Sequence, residues 1–281
     1  MMSVHRVAIR DTRLAVHTAG SGLPLVLLHA FPLDHGMWER QLALADHVRL
    51  IIPDLRGFGG SGESRPESLV QLADDTVALL DALHVEGPVV IAGISMGGYV
   101  VQHVVARHPD RVAAAVLVDT KLEADTPETR AGRSDLATKV GRLGQGILAD
   151  AMIPRLLAAS DQARRQPGRS EIESLLRRLI LAQPVATIQA ALTALGDRPD
   201  MTEAMRQARP PMLLVAGAED AITPPACLEL AAELIPRAKL LIVPHAGHMT
   251  PLEQPALFNA AVLEFLRELS ADQLAGAGRA G

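Results

Sequence analysis

Ser95 is the residue about which chemistry can first be argued. It stands in Gly93-Ile94-Ser95-Met96-Gly97-Gly98, between an apolar run from Pro88 to Ile94 and a helix-like stretch from Met96 to Arg107. A serine on so sharp a strand-to-helix turn has strained backbone dihedrals, and the flanking glycines let strand and helix pack without side-chain clashes. The turn lifts the hydroxyl clear of the strand end and sets it at a helix N-terminus, where amide N–H groups favour developing negative charge. Five residues alone are a weak signal. Their partners decide what they mean.

A serine hydroxyl is a poor nucleophile at neutral pH; it needs a base to take its proton and an acid to orient that base. Two later loops offer candidates. An apolar run at 212–217 leads into Ala218-Glu219-Asp220-Ala221-Ile222-Thr223-Pro224, and another at 239–243 leads into Pro244-His245-Ala246-Gly247-His248-Met249. The acid is thus Asp220 or Glu219, with Asp119 at the end of an earlier strand as a competitor. The base is His248 or His245. No His/Cys/carboxylate cluster has metal-ligand spacing, so neither a metal nor a cofactor is expected.

The elements that must position these groups are legible as short apolar runs alternating with helical patterns. Strands are expected at 25–29, 48–53, 89–94, 113–119, 212–217 and 239–243, continuous in Val, Ile and Leu as befits a parallel sheet buried on both faces. Alternating stretches at 4–10 and 13–18 predict an antiparallel hairpin ahead of them. Helices are expected at 37–45, 69–83, 96–107, 224–235 and 252–269. Between Lys121 and Arg209 the alternation stops, and the Ala-, Leu- and Arg-rich stretch predicts four helices at 130–143, 147–159, 172–182 and 185–195. Such an insertion between two strands of one sheet is expected to lie as a lid over the strand ends, where open α/β sheets hold their ligands. The expected organisation is a core domain at 1–120 and 210–270, a helical lid at 121–209 and a disordered tail at 271–281.

Composition narrows the partners. The 281 residues are 48% hydrophobic and 21% charged with a net charge of −5, which supplies a sizeable core and argues against a polyanion such as nucleic acid. Four Phe, one Tyr and one Trp are too few for base stacking. The first ten residues lack the apolar run of a signal peptide, no run suits a membrane span, and Cys227 alone cannot form an internal disulfide. A cytoplasmic protein acting on a small molecule is expected; oligomeric state is unreadable.

Taken together the motifs resemble the α/β-hydrolase family along nearly the whole chain. Gly217-Ala218-Glu219-Asp220 with Pro224 is similar to that family's acid loop and points to Asp220; Ala246-Gly247-His248 is similar to its histidine loop and points to His248. Val26-Leu27-Leu28-His29-Ala30-Phe31-Pro32 resembles its H-G-F-P oxyanion segment, with Ala30 replacing the usual glycine. Pro53-Asp54-Leu55-Arg56-Gly57-Phe58-Gly59-Gly60-Ser61 resembles its P-D-x-R-G-x-G-x-S turn. The resemblance implies a mostly parallel eight-stranded sheet with helices on both faces and a lid after the sixth strand. It implies a Ser95–His248–Asp220 triad and an oxyanion hole from the Met96 and Phe31 amides. On this reading Asp119 is a helix cap or salt-bridge partner, and Asp54 and Arg56 hold a turn beside the site. His29 and Trp38 are candidates for the substrate pocket, with bracing of the oxyanion loop and packing beneath it as their competing roles. A serine rather than an aspartate at the elbow sets the chain apart from haloalkane dehalogenases and epoxide hydrolases. G-x-S-M-G-G with H-x-F-P resembles small carboxylesterases, cofactor-free haloperoxidases (perhydrolases) and 3-oxoadipate enol-lactonase-like enzymes. Expected substrates are therefore small to medium esters, with lactones or C–C bonds as alternatives and a non-catalytic ligand sensor as the competitor from another class.

Overall fold

Every apolar run expected to be a strand joins one sheet. The computed structural model describes residues 2–62 and 64–269, so the tail expected at 271–281 lies outside the described residues. The strands are β1 (Ser3–Ile9), β2 (Thr12–Ala19), β3 (Pro24–Leu28), β4 (Arg49–Pro53), β5 (Val89–Ile94), β6 (Val112–Val118), β7 (Met212–Gly217) and β8 (Ala238–Val243). Their order is β1-β2-β4-β3-β5-β6-β7-β8, antiparallel from β1 through β2 to β4 and parallel from there on. Strands β3, β5, β6 and β7 are buried at every residue, as expected of a parallel sheet covered on both faces. The edge strand β8 is half exposed.

Around the sheet lie α1 (Leu69–Ala82), α2 (Met96–Arg107), α9 (Ala226–Leu234), α10 (Thr250–Glu253) and α11 (Pro255–Glu268). Between β6 and β7 come α3 (Pro127–Leu143), α4 (Gly146–Leu156), α5 (Asp161–Arg164), α6 (Arg169–Ala182), α7 (Val185–Gly196) and α8 (Thr202–Arg206). Two expectations change. The helix expected over 252–269 is broken at Gln254, because Pro255 has no N–H to donate and disfavours helical geometry in the residue before it. The segment at 37–45 forms a 3₁₀ helix, His35–Asp46, whose first turn is capped by Asp34 Oδ1 accepting from the Gly36 N–H at 2.9 Å. Within the insertion, α4 stops at Leu156 rather than running on to 159, and α5 and α8 are too short to show periodicity in sequence.

The loop carrying Asp54 and Arg56 is locked by charge. Arg56 is buried and donates to Asp75 of α1 at 2.6 and 2.9 Å, and to Asp11 of the β1–β2 turn at 2.7 and 3.2 Å. These bonds hold the guanidinium charged, with Asp75 the stronger partner. No single helix among the described residues is long and apolar enough to cross a membrane; α6 and α7 pass that test only as a pair bent by 98°.

Packing at the start of α2 explains its glycines. A β-carbon on Gly97 would lie 2.2 Å from the Leu28 carbonyl oxygen and 2.9 Å from that of His29. Both obstacles are backbone, so neither can rotate away. Gly97→Ala should therefore lower stability by about 1–3 kcal/mol or more and the melting temperature by several degrees. Gly132→Ala, in α3 with open space around it, should be neutral or slightly stabilising through helix propensity. Thermal unfolding of the two variants checks the contrast.

Candidate active site

Ser95 joins β5 to α2 with φ 52° and ψ −113°, a conformation that strains any residue with a β-carbon. Two bonds hold it there. Its N–H donates to the Val118 carbonyl at 2.9 Å, and the Thr120 hydroxyl donates to its own carbonyl at 3.1 Å. The elbow is thus tied on both sides to the end of β6. Ser95 is partly exposed, and its hydroxyl forms no hydrogen bond among the described residues.

Asp220 and His248, the expected acid and base, meet in a buried pair. His248 Nδ1 donates to Asp220 Oδ2 at 2.7 Å, and the two residues are 2% and 4% exposed. The other carboxylate oxygen accepts the Ile222 and Thr223 N–H groups at 2.7 and 3.0 Å. The Thr223 hydroxyl donates to Asp220 Oδ2 at 2.8 Å and lies 3.2 Å from His248 Nδ1. Burial alone would raise the Asp220 carboxyl, but His248 and these amides hold it below its ordinary value. Burial likewise opposes charge on His248, yet Asp220 outweighs it and raises the imidazole above 6.5.

Asp119 caps a helix, one of the two roles expected of it, but the helix is the sequence-distant α10. Asp119 is fully buried and accepts the Gly217 N–H at 2.8 Å, the Thr250 N–H at 3.1 Å and the Thr250 hydroxyl at 3.0 Å. It thereby fastens the end of β7 to the segment following His248. Burial, and then the neighbouring Asp220 charge, push its carboxyl upward. Two carboxyls side by side are driven in opposite directions, and the one held low is the one that touches the histidine. Glu219 points away from the pair: it accepts the Ala159 and Ser160 N–H groups at 3.0 and 2.8 Å and the Ser160 hydroxyl at 2.7 Å. His245 is partly exposed, 3.9 Å from Glu219.

Neither the Phe31 N–H nor the Met96 N–H donates to a group among the described residues. The preceding Ala30 N–H is turned to Met37 Sδ at 3.2 Å. Ala30 has no positive φ, which is why alanine can stand where the family resemblance calls for glycine. His29 is fully buried; its Nδ1 donates to the Ala30 carbonyl at 2.9 Å and its Nε2 accepts the Leu55 N–H at 3.0 Å, so it braces the two loops against each other. Burial holds it uncharged at neutral pH. Trp38 is fully buried against Phe258. Neither lines the cleft of about 510 Å³ that opens beside Phe31, Ile222 and Thr223.

Two residues escaped the sequence reading. Thr223 gave no signal beyond its place in the acid loop. Glu253 gave none: it accepts the Gly247 N–H and the Ala158 N–H, each at 2.8 Å, and braces the histidine loop from beneath. The fold also gathers His17, His35 and Asp54, with ligand-type atoms within 4.8 Å of one another, which no spacing revealed. The two imidazoles are stacked 3.4 Å apart at 13°, so their in-plane lone pairs cannot converge on one ion. Asp54 already accepts the His35 and Gly60 N–H groups and the His35 ring, and His17 first, then these groups, hold it ionised against its burial. This arrangement braces the start of the 3₁₀ helix, which follows the Phe31 segment.

A family model described as alpha/beta hydrolase fold matches residues 24–255. The chain belongs to that family. An alpha/beta hydrolase similar to it is a thermophilic esterase from Thermogutta terrifontis, solved with malate bound, at 36% identity and a TM-score of 0.89 over 95% of this chain and 99% of that one. The enol-lactonase from Burkholderia xenovorans LB400 superposes with a TM-score of 0.85 at 27% identity, covering 94% and 100%. The pimeloyl-[acyl-carrier protein] methyl ester esterase of Nitrosomonas europaea is 31% identical over 86% of this chain and 95% of its own length.

Two outcomes are expected from the site's electrostatics. A histidine base works when neutral, so kcat/KM should rise with pH through a midpoint above 6.5, the direction in which Asp220 moves His248. Asp220→Asn should lower kcat by about 10³–10⁴-fold, as loss of the orienting acid does elsewhere. Asp119→Asn should keep most of the rate but melt earlier, because its amide would oppose one of the N–H donors that the carboxylate accepts. Steady-state kinetics and thermal unfolding of both variants check this.

Proposed function

We propose that this hydrolase cleaves small to medium carboxylic esters by double displacement at Ser95. The observation that carries the reading is the buried 2.7 Å contact between Asp220 and His248, on the loops after β7 and β8, together with a strained serine on the elbow after β5. His248 takes the Ser95 proton as the hydroxyl attacks the acyl carbon. The Met96 and Phe31 amides, unclaimed by other groups, receive the oxyanion; such donors typically contribute about 10²–10³ in turnover each. His248 returns the proton to the leaving alcohol, Asp220 holding its tautomer, and water then releases the acid by the same route. A Ser95–His248 bond that forms only with substrate in place is ordinary for such sites.

The insertion at 121–209 acts as a lid over a core formed by 1–120 and 210–270, which is why its backbone meets both catalytic loops. The setting is cytoplasmic and no cofactor takes part. Lactones present the same acyl carbon, and the enol-lactonase relative favours them as a second reading; hydrogen peroxide in place of water would give a peracid side reaction.

A fluorophosphonate should label the protein stoichiometrically, and 4-nitrophenyl butyrate should give a burst and turnover. Ser95→Ala should lose both while keeping the parent's melting temperature or exceeding it, since the change removes no bond that the hydroxyl makes. Full activity in Ser95→Ala would overturn the mechanism.

A further inference from the structure

The cleft beside Phe31 and Thr223 is lined at its other wall by Lys121, Arg133 and Arg155. The chain carries a net charge of −5, so this concentration of cations is set against the overall balance. Asp125 is the one carboxylate on the cleft wall among the described residues. It is already claimed: Arg133 approaches it at 2.5 Å and Arg198 at 2.6 Å, and its side chain is 1% exposed. Arg198 in turn lies over the Tyr99 ring, 4.3 Å from its centroid, which fixes that cluster against the cleft wall. The cleft lining thus holds three cations and one carboxylate, and that carboxylate is already shared between Arg133 and the buried Arg198.

Lys121 and Arg155 have no carboxylate within 4 Å among the described residues. The charge of Lys121 reaches Asp200 and the Cys227 thiol without forming an ion pair with either neighbour. Both cations are delivered by the catalytic framework itself. Lys121 follows Thr120, whose hydroxyl donates to the Ser95 carbonyl at 3.1 Å. Arg155 precedes Leu156, whose carbonyl accepts the His248 N–H at 2.9 Å. Each is thus one residue from a group bonded to a member of the proposed triad, and each lines the same cleft. Low-dielectric walls focus the field of such charges on whatever enters.

Resting on the serine-hydrolase reading above, we infer that the preferred substrates are esters or lactones bearing a second, anionic group, a carboxylate, which Lys121 and Arg155 hold while Ser95 attacks the neutral acyl carbon. The anion is not a reacting group. It anchors the remote end of the substrate and so acts mainly on KM.

The test compares monoethyl adipate with diethyl adipate and ethyl hexanoate. The expected kcat/KM for the monoanion exceeds that of either neutral ester by at least tenfold. This preference should shrink as sodium chloride rises from 20 to 500 mM, because exposed charges are screened. Lys121→Met and Arg155→Met should each cut the anion-to-neutral ratio several-fold, mostly through KM, and the double variant should bring it close to one. Parity between charged and neutral esters in the parent, or equal losses on both in the variants, would overturn the inference while leaving the esterase reading intact. Calorimetry of monoethyl adipate with Ser95→Ala separates the reverse case. Binding that depends on Lys121 and Arg155, in a protein whose parent turns over no ester and takes no fluorophosphonate, would support the anion site and overturn the hydrolase reading instead.

Discussion

The conformation of Ser95 is the constraint to which the rest of the molecule answers. A non-glycine residue at φ 52° is tenable only where its surroundings over-determine it. Here the elbow is clamped by Val118 and Thr120 at the end of β6, and α2 is drawn so close to β3 that Gly97 has no room for a methyl group. That close approach brings the N-terminus of α2 against the end of the strand leading to Phe31. One strained residue thus sets the spacing between the Ser95 hydroxyl and the segment carrying Phe31. The sheet order, with β5 in the middle, leaves β7 and β8 to bring the Asp220 and His248 loops to the same edge.

Around that strained point the polar groups divide into those kept ionised and those kept neutral. Asp220 and Asp119 are neighbours with the same chemistry, yet amides and an imidazole surround one while burial and its neighbour's charge govern the other. The same division appears among the histidines. His248 is raised by its carboxylate, whereas His29, equally buried, has only backbone partners and stays uncharged. Partners, more than depth, decide which imidazole is driven toward charge.

The sequence made the fold legible because each buried strand is a continuous apolar run followed by a helical pattern. The elbow, acid loop and histidine loop could be named because their chemistry demands particular residue types at short range. The partners of Asp119 are hidden for the opposite reason: Gly217 and Thr250 lie 98 and 131 positions away. Glu253 and the His17–His35–Asp54 cluster are likewise products of tertiary approach, with no local pattern to betray them. The break at Pro255 was readable in principle, but helical periodicity on both sides masked it.

The short irregular stretch after α4 has a consequence for how this molecule can vary. Residues 156–160 bond to His248, to Glu219 beside the acid and to Glu253 beneath the histidine loop. A chimera that grafts another relative's insertion between β6 and β7 would sever all of these unless the donor's version of this stretch matched both loops. The exchangeable part is therefore smaller than the insertion. Helices on either side can be traded to reshape the cleft, while these five residues must be inherited together with the chemistry they hold.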